Sequence, residues 1–251
     1  MKEKVTIVIP CYNEEFRLQK DHLLAFVKSN EMVRVLMVND GSTDQTALLL
    51  ENLNQIEKRI DYYHLTENKG KANAVREGML NALSYETEKI AFLDADFDIP
   101  PEEVLWLMKN MDEKEGVKFT FGSRIKLLSN IIERNKFRHI FGRVFATFTS
   151  ASLNLEVYDT QCGCKVFNSE IIPIIFEKPF ISRWVFDVEV FWRLMQLFGK
   201  NQLSTIALEV PLRACYNTGK SKVKYMEIIK FPYELWKIRR HYKKHTIEPE
   251  E

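Results

Sequence analysis

The stretch "IAFLDADFDIPPEEV", residues 90–104, decides how this chain is read. Ile90, Ala91, Phe92 and Leu93 have the composition of a buried strand, and they run directly into Asp94, Asp96 and Asp98. Side chains alternate in direction along a strand, so an extended tip would turn all three carboxylates to one side. Like charges so close repel. A hydrated divalent cation relieves them, since Mg²⁺ takes one or two carboxylates together with phosphate oxygens and keeps several waters. Pro100, Pro101, Glu102 and Glu103 then begin a helix, so an acidic turn with Asp98 as a helix cap is the other reading.

Outward from this stretch, strand and helix signals alternate. "VTIVIP", "VRVLMVND", "IDYYHL", "KIAFLDAD" and "VKFTFG" are short β-rich runs, and the segments between them carry helical periodicity. Such alternation predicts an α/β fold with a mainly parallel central sheet flanked by helices. Ligands of such sheets sit beyond the carboxyl ends of the strands, where the strand order reverses. There the chain places "PCYNEE", "NDGSTDQT", "TENKGKANA" and "DADFD" in turn. Four polar tips at one edge define a site.

The tips suit a nucleotide. Gly41 supplies a tight turn, Ser42 or Thr43 can cap the next helix, and Asp40 can accept hydrogen bonds from a base N–H. Lys69 and Lys71 open a helix whose amides already favour an anion. Neither GxGxxG nor GxxxxGK[ST] occurs, so a diphosphate needs another holder, and a metal on Asp94 to Asp98 supplies one.

Composition narrows the function classes. The 251 residues with 45% hydrophobic content can bury a real core, and a net charge of +1 gives no global field for nucleic acid. Basic residues are nonetheless clustered: six Lys or Arg from Arg124 to Arg143, and nine from Thr218 to His245. Cys11, Cys162, Cys164 and Cys215 show no zinc spacing, and the N-terminus shows no signal peptide, so a reduced, cytoplasmic location is expected. The apolar stretch at 140–155 is interrupted by Arg143 and is too short to span a bilayer.

"IVIPCYNEE", "NDGSTDQT", "NKGKANAVREG", "DADFDIPPEE" and "FGSR", in this order and spacing, resemble a family 2 glycosyltransferase of GT-A fold. "YDTQCGCKVFN" and "SRWVFDVEVFWR" are similar to the dolichyl-phosphate β-glucosyltransferase and mannose synthase branch, the former more closely. The resemblance implies a GT-A domain over 1–215, with a nucleotide-binding half to 125 and an acceptor half from 126, followed by a basic, aromatic segment at 216–251. It implies that Pro10, Tyr12, Glu14 and Asp40 line the base and ribose pocket, with Lys71 near the nucleotide. Asp94 and Asp96 become the DxD pair for Mg²⁺ or Mn²⁺, with Asp98 beside them. Arg124 and Arg138 would hold the acceptor phosphate, and Asp159, Gln161, Cys162, Trp184, Asp187 and Glu189 would shape the sugar and acceptor end. Asn39 stands where many relatives carry a first aspartate, and Cys164 replaces an aromatic common in the family.

The implied activity is inverting, metal-dependent transfer of a hexose, glucose from UDP-glucose being favoured, to a polyprenyl or dolichyl phosphate. A phosphate acceptor is already anionic at pH 7 and needs positioning more than a base. A saccharide hydroxyl acceptor would need one, and Asp187 is the candidate. A non-catalytic nucleotide-sugar binding module is the reading from another class. In the tail, Lys220 and Lys222 of "TGKSK" suit a loop closing over phosphate, and Pro232 is expected to kink or break any helix there. Lys and Arg interleaved with Tyr225, Ile228, Ile229, Phe231, Tyr233, Leu235, Trp236, Ile238 and Tyr242 suit the face of an anionic membrane, so the expected contact is peripheral, at the cytoplasmic face. Trp236 and its neighbours packed on the domain is the alternative.

Overall fold

The computed structural model describes residues 3–133, 136–216 and 225–245, with the side chains of 136–141, 143, 225–229 and 245 outside that description. Strand and helix alternate as the sequence predicts: β1 (Val5–Cys11), α1 (Lys20–Ser29), β2 (Val33–Asp40), α2 (Thr46–Ile56), β3 (Ile60–Leu65), α3 (Lys71–Asn81), β4 (Lys89–Leu93), α4 (Glu102–Asp112) and β5 (Phe119–Ser123). There follow β6 (Ile131–Ile132), α5 (Lys136–Leu153), β7 (Cys164–Asn168), α6 (Ile172–Phe176), α7 (Phe186–Phe198), α8 (Leu203–Ile206), β8 (Ala207–Pro211), β9 (Ala214–Cys215) and α9 (Tyr225–His245).

Seven strands form one sheet in the order β3-β2-β1-β4-β7-β5-β8. Strands β1 to β4 pair in parallel, while β7 runs antiparallel between β4 and β5. The chain steps outward from β1 through β2 to β3 and then returns to the other side of β1 as β4. The order therefore reverses between β1 and β4, and the ends of these two strands border the crevice where ligands of such sheets bind.

Both sheet faces are covered, which is why the strands read as nearly continuous apolar runs. Val8, Leu36, Val38, Ile90 and Phe92 face α3, α6, α7 and α9. Their strand neighbours Ile7, Ile9, Val35, Met37, Ala91 and Leu93 face α1, α2 and α4. Helix α3 lies unusually close: a Cβ on Gly78 would stand 2.4 Å from Val8 Cγ1 and 2.7 Å from Val38 Cγ2. A glycine inside a helix costs about 1 kcal/mol against alanine, and here it permits the contact that seats Lys71 over the sheet edge.

Helix α9 runs through Pro232, contrary to the expected break. Phe231, Leu235, Ile238 and Tyr242, spaced as one helical stripe, are buried against α5 and α7. Burial of such side chains is worth roughly 1.5–3 kcal/mol each, which exceeds the ~3 kcal/mol local cost of the proline. Tyr233 and Trp236 lie off this stripe and stay exposed, so neither sequence reading of the tail holds for the whole helix. Among the described residues no helix is long and apolar enough to cross a membrane.

Candidate active site

The expected extended carboxylate tip does not form. Strand β4 stops at Leu93, and the chain turns at once, with the Phe97 N–H donating to the Asp94 carbonyl at 3.4 Å and the Asp98 N–H to Asp96 Oδ1 at 3.2 Å. Phe97 takes a left-handed φ of 50°, a conformation unfavourable for a bulky side chain. Its buried ring, packed among Ile99, Leu107 and their neighbours, holds it there. Apolar anchoring below thus fixes a polar turn above.

Asp94 is built in from three sides. Its N–H donates to the Gly163 carbonyl at 3.0 Å, extending the β4–β7 pairing by one step. Its Oδ2 lies where a Cβ on Gly163 would be, 2.2 Å away, so only glycine fits there. Its Oδ1 sits 2.5 Å from Lys71 Nζ. Burial opposes the charge on Lys71, but Asp94 and then Asp187 outweigh it and raise its pKa. Asp96 Oδ2 lies 3.7 Å from Arg17 Nη2. Burial, then the charges of Asp94 and Asp98, push its carboxyl up to about 6.

Asp94 and Asp96 are the carboxylates of this turn that could hold a divalent cation. Among the described residues no three His, Cys, Asp or Glu side chains converge into a cage, so Asp94, Asp96 and Asp98 do not form a three-ligand set. A Mg²⁺- or Mn²⁺-type site using one or two carboxylates, completed by diphosphate oxygens and water, fits what is present.

The neighbouring tips are held by cross-links among themselves. Asp40 is buried, and its two oxygens accept the Lys69 and Gly70 N–H groups, both at 2.9 Å. It therefore braces the loop before α3, where the sequence suggested a base acceptor. Gly41, at φ +60°, lies so close beneath that loop that a Cβ would stand 2.6 Å from Asn68 N. Arg183 closes the far side, donating to the Lys69 carbonyl at 3.0 Å and to Asn68 at 3.3 Å. On the β1 side, Asn13 bridges to Ser42 and Thr43, and the Glu14 N–H donates to Thr46 Oγ1 at 2.8 Å. Glu14 itself is buried beside Arg17, Pro10 is half-buried at the end of β1, and Tyr12 projects at the rim. Asn39 keeps the turn by accepting the Ser42 N–H at 3.0 Å.

Beyond β5, Arg124 is clamped by Asp159, with Nε to Oδ2 at 2.6 Å and Nη2 to Oδ1 at 2.9 Å. Asp159 is placed in turn by Glu209, which takes the N–H groups of Tyr158 and Asp159. The Gln161 carbonyl also accepts from Arg124 Nη2, at 3.2 Å. Nε and Nη2 of the guanidinium are thus committed to the protein. Burial holds the Cys162 thiol at about 12, which removes it as a nucleophile.

Asp187 and Glu189 are both sealed. Lys165 lies wholly inside the protein, with Nζ 2.5 Å from Asp187 Oδ1 and 2.5 Å from the Cys162 carbonyl. Glu189 accepts the N–H groups of Ile181 and Ser182 and the hydroxyl of Tyr242, so it fastens the loop before α7 and does not line a cleft. Trp184 packs edge-on against Phe145 and Phe231, tying that loop to α5 and α9. The side chain of Arg138, on α5, and Lys220 and Lys222 lie outside the described residues. Lys165 and Arg183 escaped the sequence reading, although a lone lysine within "CGCKVF" was a signal of a buried partner.

The sheet order, the carboxylate turn beyond β4 and the braced loops at the crevice are those of a GT-A glycosyltransferase. The same fold occurs in glucosyl-3-phosphoglycerate synthase from Mycobacterium tuberculosis in complex with Mn²⁺, uridine-diphosphate and phosphoglyceric acid, with a TM-score of 0.68 and 16% identity, over 96% of this chain and 78% of that one. Residues 6–175 match Glycosyl transferase family 2, and this chain belongs to that family. It is an enzyme of the glycosyltransferase class. Similar proteins include the dolichyl-phosphate beta-glucosyltransferase of Homo sapiens, 29% identical over 82% of this chain and 67% of that one. That of Drosophila melanogaster is 33% identical over 75% and 62%. One from Trichomonas vaginalis is 29% identical over 93% and 72%.

Proposed function

We propose that this enzyme transfers glucose from UDP-glucose to a polyprenyl or dolichyl phosphate, with inversion at the anomeric carbon. The names of the similar proteins support the donor sugar and the acceptor class. The observation that carries the reading is the pairing of Asp187 with Lys165. A hydroxyl acceptor needs a proton acceptor near the anomeric carbon. The best-placed carboxylate in sequence terms is instead held at 2.5 Å by a buried ammonium. A phosphate monoester, with a second pKa of about 6, arrives already anionic and needs none.

In this reading an acceptor phosphate oxygen attacks the anomeric carbon from the face opposite the leaving group. The new C–O bond forms as the bond to the diphosphate breaks, the electron pair departs with the nucleoside diphosphate, and no proton is moved. Asp94 and Asp96 would hold a divalent cation, which when bound acts as a Lewis acid toward the diphosphate. Lys71 adds positive charge at the same place, and Nη1 of Arg124 positions the incoming phosphate.

The test compares three acceptors under identical conditions: a polyprenyl phosphate, the matching unphosphorylated polyprenol, and a soluble oligosaccharide. Product from the phosphate alone supports the reading. Transfer to the polyprenol or the oligosaccharide at comparable rate overturns it.

A further inference from the structure

Helix α9 has two faces with separate tasks. Its buried stripe, Phe231, Leu235, Ile238 and Tyr242, packs inward. At 100° per residue, the opposite side carries Tyr233, Trp236, Lys237, Arg240, Lys243 and Lys244, all exposed and without an acidic residue among them. The rings of Tyr233 and Trp236 stack with centroids 6.0 Å apart, and the Arg240 guanidinium lies over Trp236 at 5.2 Å. Trp236 is 53% exposed and Tyr233 60%. Solvated basic helices do not need two large aromatic rings held on their charged side.

We propose that this outward face of α9 is a docking surface for an anionic lipid bilayer. Trp and Tyr favour the water–hydrocarbon boundary, where the ring is apolar and its polar edge stays wet, and lysine and arginine are drawn to the negative headgroups. A single-stranded nucleic acid would also meet cations and rings. The neighbouring helix favours lipid: α5 packs on α9 and exposes Phe148 and Val144, apolar groups with nothing to offer a phosphodiester chain. The surface is also placed to serve the site. Phe231, on the inner side of the same helix, contacts the ring of Trp184 at 6.0 Å, three residues before Asp187. A lipid phosphate in a bilayer against α9 would therefore present itself beside the acceptor end of the crevice. In this last respect the inference rests on the acceptor proposed above.

The experiment is sedimentation of the full chain with vesicles of phosphatidylcholine alone or mixed with phosphatidylserine, without donor or metal. The wild type is expected to pellet with the mixed vesicles and to be released by high salt. Lys237→Glu with Arg240→Glu is expected to lower partitioning onto them by at least about tenfold, and Tyr233→Ser with Trp236→Ser to lower it at any salt. Transfer to polyprenyl phosphate dispersed in detergent should be unaltered in both variants, which shows them folded. Equal partitioning onto the two vesicle types, or undiminished binding by both variants, would overturn the proposal, as would tighter binding to a single-stranded oligonucleotide than to the mixed vesicles. Failure of transfer with intact vesicle binding removes the acceptor reading and leaves the surface standing.

Discussion

Lys165 Nζ lies 2.5 Å from Asp187 Oδ1, with the lysine fully enclosed and the aspartate almost so. The pair sits on the backs of two walls of the site, β7 beside the Asp94 turn and the first turn of α7. The Lys165 ammonium also lies 5.0 Å from the ring centre of Phe92, and Phe92 packs on Phe186. A buried ion pair contributes little net stability against apolar replacements, but breaking one side of it strands a charge.

Lys165→Met should therefore lower stability by about 3–5 kcal/mol. Lys165→Met combined with Asp187→Leu should recover most of that loss. Urea denaturation of both variants checks it, and a single variant as stable as the wild type would contradict the pairing.

Asp187→Asn should slow transfer to a polyprenyl phosphate through misplacement of Lys165 and α7, and leave the shape of the pH–rate profile intact. A general base behaves otherwise: its loss abolishes the ascending limb, and the rate returns as the pH is raised. Recovery at high pH would restore Asp187 as a base and point to a hydroxyl acceptor.

Asp44, in the loop before α2, has a depressed pKa. Burial works against its charge, but hydrogen bonds from the Thr46 hydroxyl and N–H and the Glu15 N–H outweigh it and hold the carboxyl below its usual range. A depressed folded-state pKa stabilises above the unfolded value, near 4, and that stability is lost as the pH falls through the folded value. Asp44→Asn should thus cost about 1 kcal/mol at pH 7, and the gap to wild type should narrow below about pH 4. A constant gap across that range would contradict the account.

Two glycines test the close approaches. Gly78→Ala should destabilise by about 1–3 kcal/mol, because its Cβ meets Val8 and Val38 in the packed core. Gly41→Ala should weaken UDP binding at least tenfold, since both its φ of +60° and the backbone of Glu67 and Asn68 exclude a side chain there. Calorimetric titration of UDP with unchanged affinity in Gly41→Ala would show that the turn does not shape the pocket.

The parallel half of the fold was legible because its strands are short β-rich runs, the central ones apolar on both faces, that end in polar tips. Runs such as "VRVLMVND" and "IDYYHL" give the observed strands Val33–Asp40 and Ile60–Leu65 without adjustment. Strands β7 and β8 were not legible as strands. "CKVFN" carries a lysine whose partner, Asp187, lies 22 residues away, and no local pattern announces that pairing. The same limit explains the site residues. Asp40, Asp159 and Glu189 are recognisable as polar positions in motifs, but whether a carboxylate faces a ligand or a backbone amide depends on which loop the fold brings beside it. The amides of Lys69 and Gly70 and the guanidinium of Arg124 had already taken two of them. Pro232 misled for a related reason: local propensity argued for a break, and tertiary burial of Phe231 and its stripe decided otherwise.

The most direct measurement follows label from UDP-glucose and, separately, from GDP-mannose into organic-extractable product. It uses the purified chain, a polyprenyl phosphate and Mg²⁺ or Mn²⁺, with a chelator and Asp96→Ala as controls. The account predicts label in the lipid from UDP-glucose, abolished by the chelator and reduced at least a hundredfold by Asp96→Ala, a loss of about 2.7 kcal/mol in transition-state stabilisation. Lipid labelled from GDP-mannose in place of UDP-glucose, or undiminished transfer in chelator, would contradict it.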